Sequence, residues 1–408
     1  MIFVLEPSED SSFTDLRSLT FLAALRVLRS VAAGMINVAF PFLVLQQLNL
    51  GALLLGAMYS AATLATALLG LGFGLSADMV GRRFSFVVAL VLLPVSAALV
   101  LFSTSVPVLF LAAVTGGISA TGSLSGGGVG GAAQPIQSIL TTELTSRRDR
   151  TRYYSILAFV SGIAAAAGAY LAGLVAIYDV FLVAAVLGAF SVLLSPFVRM
   201  GGRVRRSFTL RSGGAIGKFS VTGVLNGLSQ GLVTPFLIPF FIVFYSITRD
   251  QMNVYAALSG LIASVALLLA PQIERSMGFL KGIIATRAAS IFLSILMPVI
   301  RILPVSLAIY FLLPAARVMA VPVQQSAMMD MVAGEERGAA FGINQTARLM
   351  ASSGGTYFAG FEFASAGVDP PALDVPFFLY GVVLALNLGL YWGFFRKYRA
   401  PTEITPRT

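Results

Sequence analysis

The chain of 408 residues contains no cysteine and no histidine. Without cysteine there is no disulfide, no thiolate nucleophile and no thiolate-bound metal. Without histidine, the Ser-His-Asp triad, the commonest metal ligand and the usual proton relay all drop out. No metal site, no cofactor and no catalytic residue is expected. Charge is scarce as well: Asp, Glu, Lys and Arg make up 11% of the residues, against roughly 25% in a soluble domain.

What is present is apolar surface. Hydrophobic residues account for 57% of the chain, and its mean hydropathy is +0.89. One membrane span needs about 20 residues, so roughly a dozen spans with short loops use the whole length. The expected fold class is an all-α membrane protein of 12 transmembrane helices. The net charge of +10 would fit a nucleic-acid partner if it lay on one folded face. Instead the cations fall between apolar runs, so no nucleic acid is expected. Glu6, Glu9, Asp10 and Asp15 precede the first cation, Arg17, the reverse of a secretory leader, and no cleaved signal is expected.

Apolar runs place the spans near 19–48, 52–73, 84–103, 107–143, 154–177, 180–198, 219–245, 253–271, 282–300, 304–331, 338–362 and 375–395. Residues 199–218 hold only cations among their charges and read as a linker. This divides the chain into 1–198, 199–218 and 219–408. Alternate loops differ sharply in charge. One set, with both termini, carries most of the Lys and Arg, while the other carries only Arg249 and Arg301. The basic loops mark the cytoplasmic side, so both termini are expected there, on a multi-pass protein of the plasma membrane. Glycines in the fourth run, including Gly122, Gly126 and Gly130, lack the Gly-Lys-Ser/Thr of a phosphate loop and read as close helix packing.

The two halves echo each other. Pro135, Gln137, Glu143, Asp149, Arg150, Tyr154 and Ile156 align with Pro322, Gln324, Asp330, Glu336, Arg337, Phe341 and Ile343 at a constant offset of 187. Pro41-Phe42-Leu43 likewise echoes Pro235-Phe236-Leu237. Two pseudo-symmetric six-helix bundles are what a carrier rocking about a central site needs. Between spans two and three, Gly74, Asp78, Gly81, Arg82 and Arg83 form a short acid-then-base turn.

These features resemble the major facilitator superfamily, whose loop signature Gly-x-x-x-Asp-Arg/Lys-x-Gly-Arg-Arg/Lys matches Gly74, Asp78, Gly81, Arg82 and Arg83. Met79 stands where the signature has a cation. The resemblance implies that the Asp78 turn is a latch between the halves, and that spans one, four, seven and ten line the cavity. Drug:proton antiporters of the family carry an arginine early in span four and a Gly-Pro in span five. Neither occurs in 115–126 or 162–173.

Charges inside a span cost roughly 2.5 to 3.5 kcal/mol on insertion scales. Arg317 and Arg348 lie deep in their spans with no carboxylate one turn away. They either face the cavity and attract an anionic group or bond to helix carbonyls and amides such as Asn344 and Gln345. Arg26 and Arg29, nearer a span end, suit snorkelling or pairing with Glu143. Asn37, Gln134, Gln137, Asn226, Gln230, Gln324 and Gln325 fall on the cavity-lining quartet; each is a cavity lining or an interhelical hydrogen bond. The Phe236, Phe240, Phe241, Phe244 and Tyr245 group reads as packing or lipid contact. No acid falls at mid-span, so proton or other ion coupling stays open.

The expected function is a secondary transporter, facilitative or ion-coupled, for a small polar or anionic organic solute, working as a monomer in the lipid bilayer. The alternatives are drug or amphiphile efflux and, from another class, a non-transporting receptor or scaffold. A hydrolase lacks a visible nucleophile and base.

Overall fold

The computed structural model describes residues 15–79, 81–118, 133, 136–137, 140–141, 144–145, 150–200, 212–333, 336–365 and 370–397. All regular structure among them is helical. In chain order the helices are α1 (Leu16–Phe42), α2 (Gly51–Met79), α3 (Arg82–Phe102), α4 (Val106–Gly116), α5 (Arg150–Leu171), α6 (Ile177–Leu194), α7 (Gly213–Val233), α8 (Leu237–Tyr245), α9 (Arg249–Val299), α10 (Leu303–Met331), α11 (Arg337–Ser365) and α12 (Val375–Phe395).

Eight described helices are long and apolar enough to cross a membrane, and two shorter apolar ones accompany them. The 51-residue α9 is two spans folded at Gly278, whose φ of +73° suits a residue without Cβ. A single turn around Pro235 joins α7 and α8 into one span. α11 is left out of the eight because Asn344, Gln345 and Arg348 lower its hydropathy. With these corrections the chain makes the twelve-span, all-α architecture.

Three boundaries differ from the sequence expectation. α2 runs through Gly74 and Asp78 to Met79, and Gly81 turns with φ +126°. Leu75, Ser76 and Ala77 are compatible with helix, so nothing ends it until glycine supplies the positive φ. α7 begins at Gly213, inside the segment read as linker. α4 stops at Gly116, with Gly117 left-handed at φ +60°; Gly122, Gly126 and Gly130 lie outside the described residues.

Helix packing repeats with a shift of six spans. α1 packs on α5 and α6, and α3 on α4 and α6; α7 packs on α11 and α12, and α9 on α10 and α12. Glycine lets the paired helices approach closely in both sets. A Cβ on Gly34 would sit 2.0 Å from the Ala165 carbonyl oxygen, and one on Gly227 would sit 1.9 Å from that of Arg348.

Helix entries match as well. The Asp15 side chain caps α1 through the Ser18 N–H and hydroxyl, while its own N–H donates to the Leu144 carbonyl. Those bonds to Ser18 hold the Asp15 carboxyl below its ordinary range. At α7, the Ser212 N–H donates to Glu336 at 2.8 Å and the Ser212 hydroxyl accepts from Ala333.

The first six spans meet the last six along α2/α11 and α5/α9. Seams two/eleven and five/eight exchange under a six-span shift, as a duplicated bundle requires. The seams are tight at the end away from the basic loops. Gly56 and Gly360 face each other there, a Cβ on Gly56 falling 2.6 Å from the Gly360 Cα. Tyr59 meets Phe236 edge-on at 6.5 Å, and Phe236 packs on Phe363 at 4.7 Å. Arg249 donates to the Val175 carbonyl at 2.8 Å.

The hydrophobic core at this end combines Val38, Phe42, Ala52 and Ala169 with residues of α7 to α12. At the basic end, two separate cores among the described residues each belong to one half. Among the described residues the halves thus share a core at one end and keep separate cores at the other.

Candidate functional site

Arg317 is the midpoint of α10, fourteen residues from Leu303 and from Met331, or roughly 21 Å from either end at 1.5 Å per residue. Around it gathers a cavity of about 30 Å³, lined by Arg287, Arg317, Arg348, Gln230, Gln324 and Tyr380 among others. That is about one water's share of liquid volume. The three arginines come from α9, α10 and α11, and they are near enough for Arg287 to repel Arg317 and Arg317 to repel Arg348.

Their partners are neutral. Arg287 donates to the Asn387 and Gln324 side-chain oxygens, the latter at 3.0 Å, and lies over the Tyr391 ring. Asn387 is fixed in turn by its donation to the Thr222 carbonyl. Arg348 donates to Gln345 at 2.8 and 3.2 Å and to Gln230 at 3.0 Å. Arg317 donates to the Thr234 hydroxyl at 3.2 Å and lies over the Tyr380 ring at 5.4 Å. Among the described residues no carboxylate pairs with any of the three.

Burial separates their roles. Arg287 is sealed at 4% exposure, whereas Arg317 and Arg348 keep part of their surface open. The Tyr380 side chain is fully buried, with its hydroxyl close to the Arg317 guanidinium. The wall therefore offers guanidinium and phenol donors and unbalanced positive charge. Several kcal/mol per ion is the usual penalty for burying charge without a partner.

A second cavity, of about 60 Å³, lies between the halves. Gly34 and Asn37 of α1, Ala165 of α5 and Ala263 of α9 line it, and Thr234, Leu237 and Val318 border both cavities. It has no charged side chain.

The structure places the sequence-derived candidates unevenly. Asn226, Gln230, Gln324, Arg317 and Arg348 line the arginine cavity, and Asn37 lines the seam cavity. Gln325 is exposed and lies outside both linings, turned about 100° from Gln324 around the helix axis. Gln137 is buried but borders neither cavity. Gln134 and Glu143 lie outside the described residues.

Arg26 and Arg29 are both buried, and Arg29 donates to the Leu90 carbonyl of α3 at 2.9 Å. In the acid-then-base turn, Arg82 is buried and Arg83 exposed. Gly74 and Asp78 are placed by backbone alone. Phe236, Phe240 and Phe241 are buried in the shared core, as packing.

Sequence reading missed Arg287, which it grouped with the basic loop although the residue falls five positions inside the span expected at 282–300. It also missed Thr234, Tyr380 and Asn387. A count of charges by depth would have found Arg287. The other three carry no local signal, since their meeting depends on how α7, α9, α10 and α12 are rotated.

Known proteins fit this architecture. The D-xylose–proton symporter superposes with a TM-score of 0.71 at 17% identity, over 92% of this chain and 96% of its own. A bacterial homolog of the human lysosomal transporter Spinster, inward-facing and unoccupied, gives 0.69 at 14% identity over 94% and 98%. The human organic anion transporter MFSD10 (TETRAN) gives 0.66 at 15% identity over 95% and 100%. At such identities the likeness is one of fold. No curated protein matches the chain by sequence. Residues 22–356 match the family model for the Major Facilitator Superfamily, and on that match the chain belongs to the Major Facilitator Superfamily.

Proposed function

We propose that this secondary transporter carries a small anionic organic solute by alternating access, with the solute bound between Arg317 and Arg348. The observation that carries the reading is the three-arginine cavity without a described carboxylate. An anion entering it replaces mutual repulsion with charge-assisted hydrogen bonds, about twice as strong as neutral ones.

Two bodies, 1–198 and 219–408, rock against each other on the 199–218 connection, with the arginine cavity inside the second body and the seam cavity between the two. The glycine and aromatic contacts of α2, α11 and the turn between α7 and α8 shut one mouth. The Asp78 turn latches the other, at the basic end, which faces the cytoplasm together with both termini. A carboxylate at a helix N-terminus contributes about 0.3 to 1 kcal/mol, enough to tilt a two-state balance. The protein works as a monomer, and a proton or another ion can accompany the solute.

A melting-temperature panel on purified protein tests the reading, because a ligand that binds the native state raises its midpoint. Organic anions are expected to raise it by several degrees, with lipophilic cations and neutral sugars inert. A response confined to lipophilic cations would replace the anion reading with drug efflux, and silence across the whole panel would favour a scaffold.

A further inference from the structure

The two cavities differ in chemistry and share a border, which restricts the shape of what fits both. On one side of Thr234, Leu237 and Val318 stand the guanidinium groups of Arg317 and Arg348. There the buried Tyr380 hydroxyl stands beside the Arg317 guanidinium. On the other side the wall is mostly small and apolar, as at Gly34, Ala165 and Ala263, with Asn37, Ser264 and Tyr310 as its uncharged polar groups. A charged group gains nothing on the second side, since no ion waits there and its hydration would be lost. On the first side an apolar group would meet Leu313, Val321 and Leu384 but leave the guanidinium groups without a counter-charge.

We propose that the transported solute has two parts: an oxyanion head held by Arg317, Arg348 and the Tyr380 hydroxyl, and a compact apolar body lodged at the seam between Asn37 and Ala263. This rests on the anion reading above and narrows it. The head is bound wholly by the last six spans. The body touches both halves, since Asn37 and Ala165 belong to the first six spans while Ala263 and Val318 belong to the last six. Closing the halves therefore buries the body. A solute with a head and no body binds but adds nothing across the seam, whereas an apolar body rewards closure by roughly 25 cal/mol per Å² removed from water.

The test is the affinity of the purified protein for four probes: acetate, hexanoate, benzoate and phenyl phosphate. In the unaltered protein, benzoate and hexanoate bind at least about tenfold more tightly than acetate. Phenyl phosphate tighter than benzoate assigns a phosphate head, and the reverse order a carboxylate head; either order keeps the two-part solute. Ala263→Leu fills the seam cavity and is expected to bring benzoate within about twofold of acetate, with acetate itself unchanged. Ala256→Leu, one to two turns earlier on the same helix and also on the lining, serves where Ala263→Leu disturbs folding. Equal binding of acetate and benzoate in the unaltered protein, or a benzoate preference that survives both filling variants, overturns the two-part solute and leaves the anion reading standing. No binding of any of the four removes both.

Discussion

Arg317→Gln is expected to weaken binding of organic anions by about thirtyfold or more while leaving the melting temperature of the unliganded protein equal or higher. Losing one member of a buried hydrogen-bonded charge pair costs about 2 to 5 kcal/mol, and 1.4 kcal/mol is tenfold in affinity. The second half of the expectation separates cargo contact from structural glue. Arg317 donates to Thr234 and meets the ring and hydroxyl of Tyr380. It also repels Arg348. Glutamine keeps a donor for Thr234 and removes the repulsion, so a helix held by glue would lose stability, whereas an unbalanced cationic site gains it. Affinity by calorimetry and stability by thermal melting read the two effects on one preparation.

Gly56→Leu is expected to cut the population closed at the end away from the basic loops by about tenfold to a hundredfold. The Cβ alone would fall 2.6 Å from the Gly360 Cα, and Gly360 is backbone with no side chain to turn aside. Overpacking of this kind costs about 1 to 3 kcal/mol or more, and it acts on the closed seam only, since the contact is absent once α2 and α11 part. Asp78→Asn is expected to move the same balance the other way, by weakening the latch at the basic end. Spin labels on cysteines introduced at that mouth report both variants, and the absence of native cysteine makes the labelling unambiguous. A distance distribution identical in the parent, Gly56→Leu and Asp78→Asn would contradict both the glycine seam and the latch.

Much of this was legible in the sequence, for reasons specific to a membrane chain. Spans stand out because lipid tolerates few charges, and Arg317 and Arg348 stand out for the same reason. The echo at offset 187 foretold paired seams. Arg287 was hidden by its nearness to Lys281 and Arg275, which made a deep cation look like the edge of a basic loop. Gln325 looked equivalent to Gln324 because hydropathy along a chain does not resolve the 100° between neighbours. The Asp78 turn looked longer than it is because Gly74 suggested a break, yet one glycine mid-helix costs only about 1 kcal/mol and α2 carries it. Tyr380, Asn387 and Thr234 had no local sign, because helix rotation, set by packing, brings them to Arg287 and Arg317.

Two halves that part and rejoin along a seam beside a cationic cavity are tested most directly by the distance between spin labels on Leu53→Cys and Ser365→Cys, with and without benzoate. These positions lie at the tips of α2 and α11. A short and a long distance are expected, their ratio changing with benzoate, with no change in the Arg317→Gln background. A single distance, indifferent to every anion and to that substitution, would contradict that parting.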